Sequence, residues 1–258
     1  MKIALLQMDI QERNKDGNVK HGLELLRKAV VGQDVVVMPE IWTTGYSLGH
    51  IEQDAETMEG PVIAAIKTIA RENKCNIVAG SMPMKMEGKI YNTSVVIDRN
   101  GTVLDYYNKF HLFGLFQEER FFAPGKHLAR YQLDDIACSN TICYDLRFPE
   151  MFRHLALAGV KMIFIPAEWP TPRGDVWKLL VQARAIENHI FICAVNCTGF
   201  FKGEPFYGNS MIVSPTGKII VEGDEKEAIL YGDIDLGDIE RVRSRINVLN
   251  DVREEFTK

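Results

Sequence analysis

The chain has 258 residues, 46% of them hydrophobic and 25% charged, and a net charge of −5. That balance fits one globular domain with a sizeable core and excludes a disordered chain. The acidic excess argues against a generic nucleic-acid binder, and no apolar run nears the roughly 18 residues that span a bilayer.

The elements follow in chain order. Lys2-Ile3-Ala4-Leu5-Leu6-Gln7-Met8 opens a predicted strand over 2–10. It lacks the longer apolar core and small-residue cleavage site of a signal peptide, so no leader is expected. Val19, Leu23, Leu26 and Val30 recur at helical spacing over 18–30. The β-branched run at 34–38 reads as a buried strand. A helix over 61–73 starts on Pro61, and a strand covers 75–80. Strands at 92–98 and 103–108 flank Asn100-Gly101, a strong hairpin signal. A strand leads to Cys143, followed by a helix near 149–158, a strand at 162–166, a helix over 175–188 and a strand at 190–196. Two or three further strands (209–214, 218–222, 228–234) are separated by Pro215-Thr216-Gly217 and Gly223-Asp224. From about 236 the tail is charged, has no clear strand pattern, and is left free to pack elsewhere. Strands alternating with helices, mixed with hairpins, imply α/β layers over mixed sheets in a single domain spanning 1–258.

The five cysteines are Cys75, Cys138, Cys143, Cys193 and Cys197. An odd number in a chain this long points away from a disulfide framework and toward a reducing cytoplasm. No C-x-x-C pair, H-E-x-x-H, G-x-G-x-x-G or Walker A run occurs, so no metal and no nucleotide cofactor is expected. His189 is expected to cap a helix as a cation suited to the dipole, and His111 to make local hydrogen bonds.

Three polar residues end apolar strands: Glu40, Lys109 and Cys143. Functional groups gather where the strands of α/β sheets end. A thiol attacks as the thiolate, a form that a nearby cation favours. A carboxylate can take that proton and return it to a leaving amine, and a lysine can face the oxyanion of a tetrahedral intermediate. Singly, each has a plainer reading: a small core residue for Cys143, a first-turn acid for Glu40, a solvated charge for Lys109.

Their flanks bear on that choice. Pro39-Glu40 with Thr44-Gly45-Tyr46, Tyr107-Asn108-Lys109-Phe110-His111, and Cys143-Tyr144-Asp145-Leu146-Arg147-Phe148-Pro149-Glu150 resemble the nitrilase superfamily of carbon-nitrogen hydrolases. So do Asn92-Thr93, Pro124-Gly125, residues 183–188, Pro215-Thr216-Gly217 and Ile234-Asp235-Leu236, in the same order. The resemblance covers essentially the whole chain. It implies a four-layer α-β-β-α sandwich that pairs as a homodimer, partly through its C-terminal tail. It also implies a cysteine hydrolase needing no cofactor, with Glu40 as general base, Lys109 as oxyanion stabiliser, Cys143 as nucleophile and the Tyr144 backbone N–H as second oxyanion donor. A supporting glutamate is expected on the loop after the lysine. Glu118 fits it from its distance to Gly125, and Glu119 is the competing choice.

The segment Ala167-Glu168-Trp169-Pro170-Thr171-Pro172-Arg173 resembles the omega-amidase branch, whose members cleave the terminal amide of dicarboxylic acid monoamides such as α-ketoglutaramate. A distal carboxylate calls for a guanidinium fork. Arg147 and Arg173 are the candidates, with Tyr46 and Trp169 as pocket walls. Arg147 reads equally as the partner of Glu150 or Asp145 in an ion pair, and Tyr46 and Trp169 as core residues. The chain departs from many relatives at Val176-Trp177, Gly208-Asn209-Ser210 and Ile246-Asn247-Val248-Leu249, none of which touches the triad. The rivals are a nitrilase, an N-carbamoyl amidase, an aliphatic amidase, and a catalytically silent binding protein of the same fold.

Overall fold

The structure is a computed structural model that describes residues 1–253 and Glu255. Its first sheet runs in the order Ala228–Asp233, Lys2–Gln7, Val35–Val37, Asn76–Val78, Lys89–Ile97, Met82–Met86, with Val103–Asn108 also paired to Lys89–Ile97. The second runs Ile219–Glu222, Met211–Val213, Phe191–Asn196, Met162–Ala167, Ile136–Asn140, Tyr131–Leu133. Each has a parallel centre and antiparallel edges.

Strand alternation makes the layers. Ile3 and Leu5 point to the apolar cluster shared with the second sheet. Ala4 and Leu6 point the other way, to Leu25 and Leu26 of helix Lys15–Ala29 and Ile63 and Ile66 of helix Pro61–Asn73. Helices Pro149–Leu157 and Gly174–Asn188 contribute Phe152, Leu155, Trp177 and Val181 to the second sheet's cluster. The result is a four-layer α-β-β-α sandwich of mixed sheets. Among the described residues, no helix is long and apolar enough to cross a membrane.

Several expectations need correction. The first strand breaks at Met8, and Asp9–Ile10 pairs with Thr198–Phe201 in a small third sheet. The first helix starts three residues earlier than its apolar stripe, because the Asn14 side chain caps Gly17 N–H at 3.1 Å. The Asn100-Gly101 hairpin is real, but its connection is the longer loop 98–102. There Asp98 Oδ1 accepts from Asn100 and Thr102 N–H, and a bulge follows Val96. The tail has no strand up to its helix Gly237–Arg243, and that helix packs on its own domain, with Ile239 buried in the main core.

His189 ends its helix through a left-handed backbone (φ 49°), not as a cation. Burial, then Arg243 and Arg153, push its pKa down. The positive charge at that helix end is Arg243, which donates to the His189 carbonyl at 3.2 Å.

Candidate active site

Glu40 follows strand Val35–Val37, and the turn that aims it inward depends on Gly80. A Cβ there would lie 2.1 Å from the Pro39 carbonyl oxygen, and its φ of +61° suits glycine. Lys109 follows strand Val103–Asn108. Its N–H donates to Asn92 O and its carbonyl accepts from Gly125 N–H, both at 2.8 Å. A Cβ on Gly125 would lie 2.0 Å from Asn108 O, so the chain needs glycine where it crosses behind the lysine.

These two residues meet Glu118 with no side-chain exposure. Lys109 Nζ donates to Glu40 Oε1 at 2.8 Å and to Glu118 Oε1 at 2.7 Å. Asn92 donates to Glu40 Oε1 at 2.8 Å. The Tyr46 hydroxyl donates to Glu118 Oε1 at 2.6 Å and lies 3.3 Å from Glu40 Oε1. Glu118 Oε2 accepts from Phe113 N–H at 2.8 Å. Of the two glutamates weighed for this place, Glu118 points inward and Glu119 is exposed. Tyr46 is therefore more than a pocket wall, since its hydroxyl ties the two carboxylates together.

Cys143 opens a short 3₁₀ turn, Cys143–Arg147, beyond strand Ile136–Asn140. Its φ of +45° is costly for a non-glycine residue, a strain that recurs at functional sites. The turn is tied down from two sides. Asp145 Oδ2 accepts from Ile142 N–H at 2.9 Å and from the Tyr107 hydroxyl at 2.7 Å. Its Oδ1 takes His111 N–H at 3.0 Å and faces His111 Nδ1 at 2.8 Å. Asp145 thus locks the cysteine turn to the lysine loop, and His111 orients that loop while stacking on Phe148. From the other side, Arg184 donates twice to the Leu146 carbonyl, at 3.0 and 2.8 Å. Sequence reasoning assigned no such role to Asp145, Tyr107, Asn92 or Arg184. All four sit inside quoted family segments, which was the available signal.

Burial works against the Lys109 charge, yet Glu118 and Glu40 outweigh it and hold the ammonium well above its ordinary pKa. Burial pushes Glu118 up, Lys109 draws it back, and Glu40 adds to the rise. For Cys143, burial and then Glu40 push the thiol well up, and the opposing pull of Lys109 is the lesser effect. The favourable pull expected of the cation is present but outweighed. The surroundings thus favour the neutral thiol, so attack needs proton transfer to a base.

A tight recess of about 10 Å³ is lined by Cys143, Tyr144, Phe113, Glu168, Trp169, Pro170, Arg147 and Arg173. Arg173 and Pro170 also border a wider cleft of about 1110 Å³, which Tyr46 and Phe116 line. The recess and the cleft thus share a wall at Pro170 and Arg173. Asp145 is spent on the cysteine turn, and among the described residues Arg147 forms no ion pair with Asp145 or Glu150. Its guanidinium lies 4.9 Å over Trp169, and that of Arg173 lies 5.4 Å over Phe113. Trp169 is both wall and structure, since its indole N–H donates to Arg173 O at 2.7 Å. The Tyr144 N–H falls in the first turn after Cys143, where N–H groups lack an intrahelical partner. Among the described residues, no cluster of three His, Cys, Asp or Glu side chains is arranged to hold a metal.

Residues 2–244 match the family model of carbon-nitrogen hydrolases. A 2-oxoglutaramate amidase of Bacillus subtilis is 38% identical, with 98% of each chain covered. A human omega-amidase is 29% identical over 99% of this chain and 96% of its own. The crystal structure of a CN-hydrolase superfamily protein from Xanthomonas campestris, described with an arsenic adduct in its active site, superimposes with a TM-score of 0.92. It is 30% identical and covers 98% of this chain and 97% of its own.

Proposed function

The chain belongs to the carbon-nitrogen hydrolase family and is a hydrolase of carbon–nitrogen bonds other than peptide bonds; from that premise we propose that it is an omega-amidase, releasing ammonia from a dicarboxylic acid monoamide such as α-ketoglutaramate. The observation that carries this reading is the placing of Arg147 and Arg173 on the same recess as Cys143, next to the closed set of Glu40, Lys109 and Glu118.

In the proposed course, Glu40 takes the thiol proton as the Cys143 sulfur bonds to the amide carbon. The carbonyl oxygen becomes an oxyanion held by the Lys109 ammonium and the Tyr144 N–H. Glu40 passes the proton to the nitrogen, the carbon–nitrogen bond breaks, and ammonia leaves a thioester on Cys143. Glu40 then deprotonates a water, which adds to the thioester. Collapse expels the sulfur, which recovers its proton from Glu40, and the acid departs. Glu118 keeps Lys109 in place through its contacts to Nζ and Tyr46.

Arg147 and Arg173 supply the anionic end of the site. Both border the Cys143 recess with guanidinium groups that meet aromatic faces. An unpaired guanidinium in such a place favours a bidentate carboxylate. We also propose a single domain acting as a homodimer in the cytoplasm. Exposed Leu157, Leu179 and Ile186 on the outer helices support the pairing, and five free thiols support the compartment.

The test is ammonia release from α-ketoglutaramate, succinamate, glutamine and a simple nitrile, with Cys143→Ala as control. Preferred turnover of the two anionic monoamides, lost in the control, is the expected result. Turnover that survives Cys143→Ala overturns the mechanism, and preference for the nitrile overturns the substrate class.

A further inference from the structure

Glu168 follows strand Met162–Ala167 of the second sheet and enters none of the steps above. Its backbone N–H donates to Glu40 Oε2 at 2.9 Å, which fixes it against the proposed base. Its side chain is 1% exposed and borders the same recess as Cys143. Among the described residues, neither carboxyl oxygen has a hydrogen-bond partner. The other two glutamates at this site are each met by three donors: Glu40 by Asn92, Lys109 and the Glu168 N–H, Glu118 by Tyr46, Lys109 and the Phe113 N–H. A buried polar group without partners is costly, and a fold keeps one where a ligand completes it.

The chemistry of the missing partner follows from the neighbours. Lys109 and the Tyr144 N–H take the substrate oxygen, so the amide nitrogen falls on the Glu40 side. That nitrogen carries two hydrogens, and Glu168 is the carboxyl next to Glu40 with free acceptor capacity. We propose that Glu168 is a specificity-determining residue that reads the substrate as a primary amide, its carboxyl oxygen accepting an N–H from the carboxamide nitrogen. This rests on the amidase reading and deepens it. A nitrile or an ester has no N–H to offer, so the accepting oxygen of Glu168 stays unmet with either. Burial, then the charge of Glu40, push the Glu168 carboxyl well above its ordinary pKa. The neutral acid accepts through its carbonyl oxygen without adding a negative charge beside Glu40.

The test compares binding of succinamate and monomethyl succinate by calorimetry in the Cys143→Ala protein, where neither ligand turns over. Adding Glu168→Leu or Glu168→Ala, both measured so that one poorly folded variant does not decide the result, lowers the amide-to-ester affinity ratio by about tenfold, the cost of one unmet buried N–H. Glu168→Gln keeps a neutral carbonyl acceptor and returns the ratio to within about threefold. An unchanged ratio, or equal loss of both ligands, assigns Glu168 to structure and overturns the proposal. So does failure of succinamate to bind the Cys143→Ala protein. The amidase reading is judged separately, by ammonia release from the unaltered enzyme, so either idea can fail without the other.

Discussion

Glu118 and Glu168 are buried glutamates from different halves of the sandwich, and the fold treats them in opposite ways. Glu118, on the loop after strand Val103–Asn108 of the first sheet, receives Lys109, Tyr46 and the Phe113 N–H. Glu168, at the end of a central strand of the second sheet, receives nothing from the described residues. Both carboxyls are raised by burial, but only Glu118 has a cation within hydrogen-bond reach to draw it back. The contrast separates scaffold from reader. A saturated carboxylate holds another side chain still, whereas an unsaturated one in a recess is left for a ligand.

The strongest way to break this comparison is to remove the group at its centre. Lys109→Met takes away the oxyanion donor and leaves two carboxyls facing each other. Loss of one such donor costs up to about 4 kcal/mol of barrier, so kcat should fall by about three decades. Loss of a buried partner should also lower stability by about 3 kcal/mol, visible as a lower melting temperature. A variant that keeps kcat within tenfold removes Lys109 from the mechanism. Glu118→Gln is milder. The amide oxygen still accepts from Lys109 and Tyr46, but the NH2 group meets the Phe113 N–H donor to donor. Activity should drop by about two decades and stability by about 1–3 kcal/mol. Full activity in that variant shows that Lys109 needs no second counter-charge.

Much of this was legible in the chain before any coordinates. The β-branched run Val35–Val37 and the one-sided helix Pro61–Asn73 announce themselves by local pattern, because burial on both faces or on one stripe dictates which residues appear. Asp9–Ile10 does not, since its partner is Thr198 and Gly199, far along the chain. Met82–Met86 is hidden by Pro83 and by a turn at Glu87-Gly88, and only its pairing with Lys89–Ile97 reveals it. At the site, the strand ends carrying Glu40, Lys109 and Cys143 could be named because each follows an apolar run. Glu168 stood in a quoted segment yet received no role. The feature that matters there is the lack of any partner, and no single sequence records which donors fail to arrive. Asp145 was weighed only as a partner for Arg147, although its four contacts tie the cysteine turn to the lysine loop.

The second sheet's wall gives a sharper reading through its arginines. Arg147→Met removes a guanidinium beside Cys143 but no part of the Glu40–Lys109–Glu118 set. A charge-assisted hydrogen bond is worth about 1.5–3 kcal/mol, so KM for α-ketoglutaramate or succinamate should rise by about 10- to 100-fold. A neutral amide such as butyramide should change little. Equal changes for anionic and neutral amides remove Arg147 as the carboxylate anchor and leave Arg173 as the sole candidate.

The smallest effect is the one that most directly separates the two glutamates. A carboxyl raised in the folded state keeps its proton there while the unfolded chain gives it up. Folding stability from Glu168 is therefore fully present below its ordinary value of 4.5 and is lost as pH climbs toward the raised folded value. Each pH unit inside that window costs about 1.4 kcal/mol. Glu168→Gln cannot ionise and escapes the loss, so between pH 5 and pH 8 its melting temperature relative to the parent should climb wherever the pH lies below the raised folded value. Glu118 is raised less, because Lys109 draws it back, so Glu118→Gln, which also forfeits the acceptor for Phe113, should start below the parent and climb less than Glu168→Gln. Paired thermal melts across the range decide the matter. A constant offset for Glu168→Gln means its carboxyl is already ionised, and a neutral Glu168 is then the wrong description of the recess.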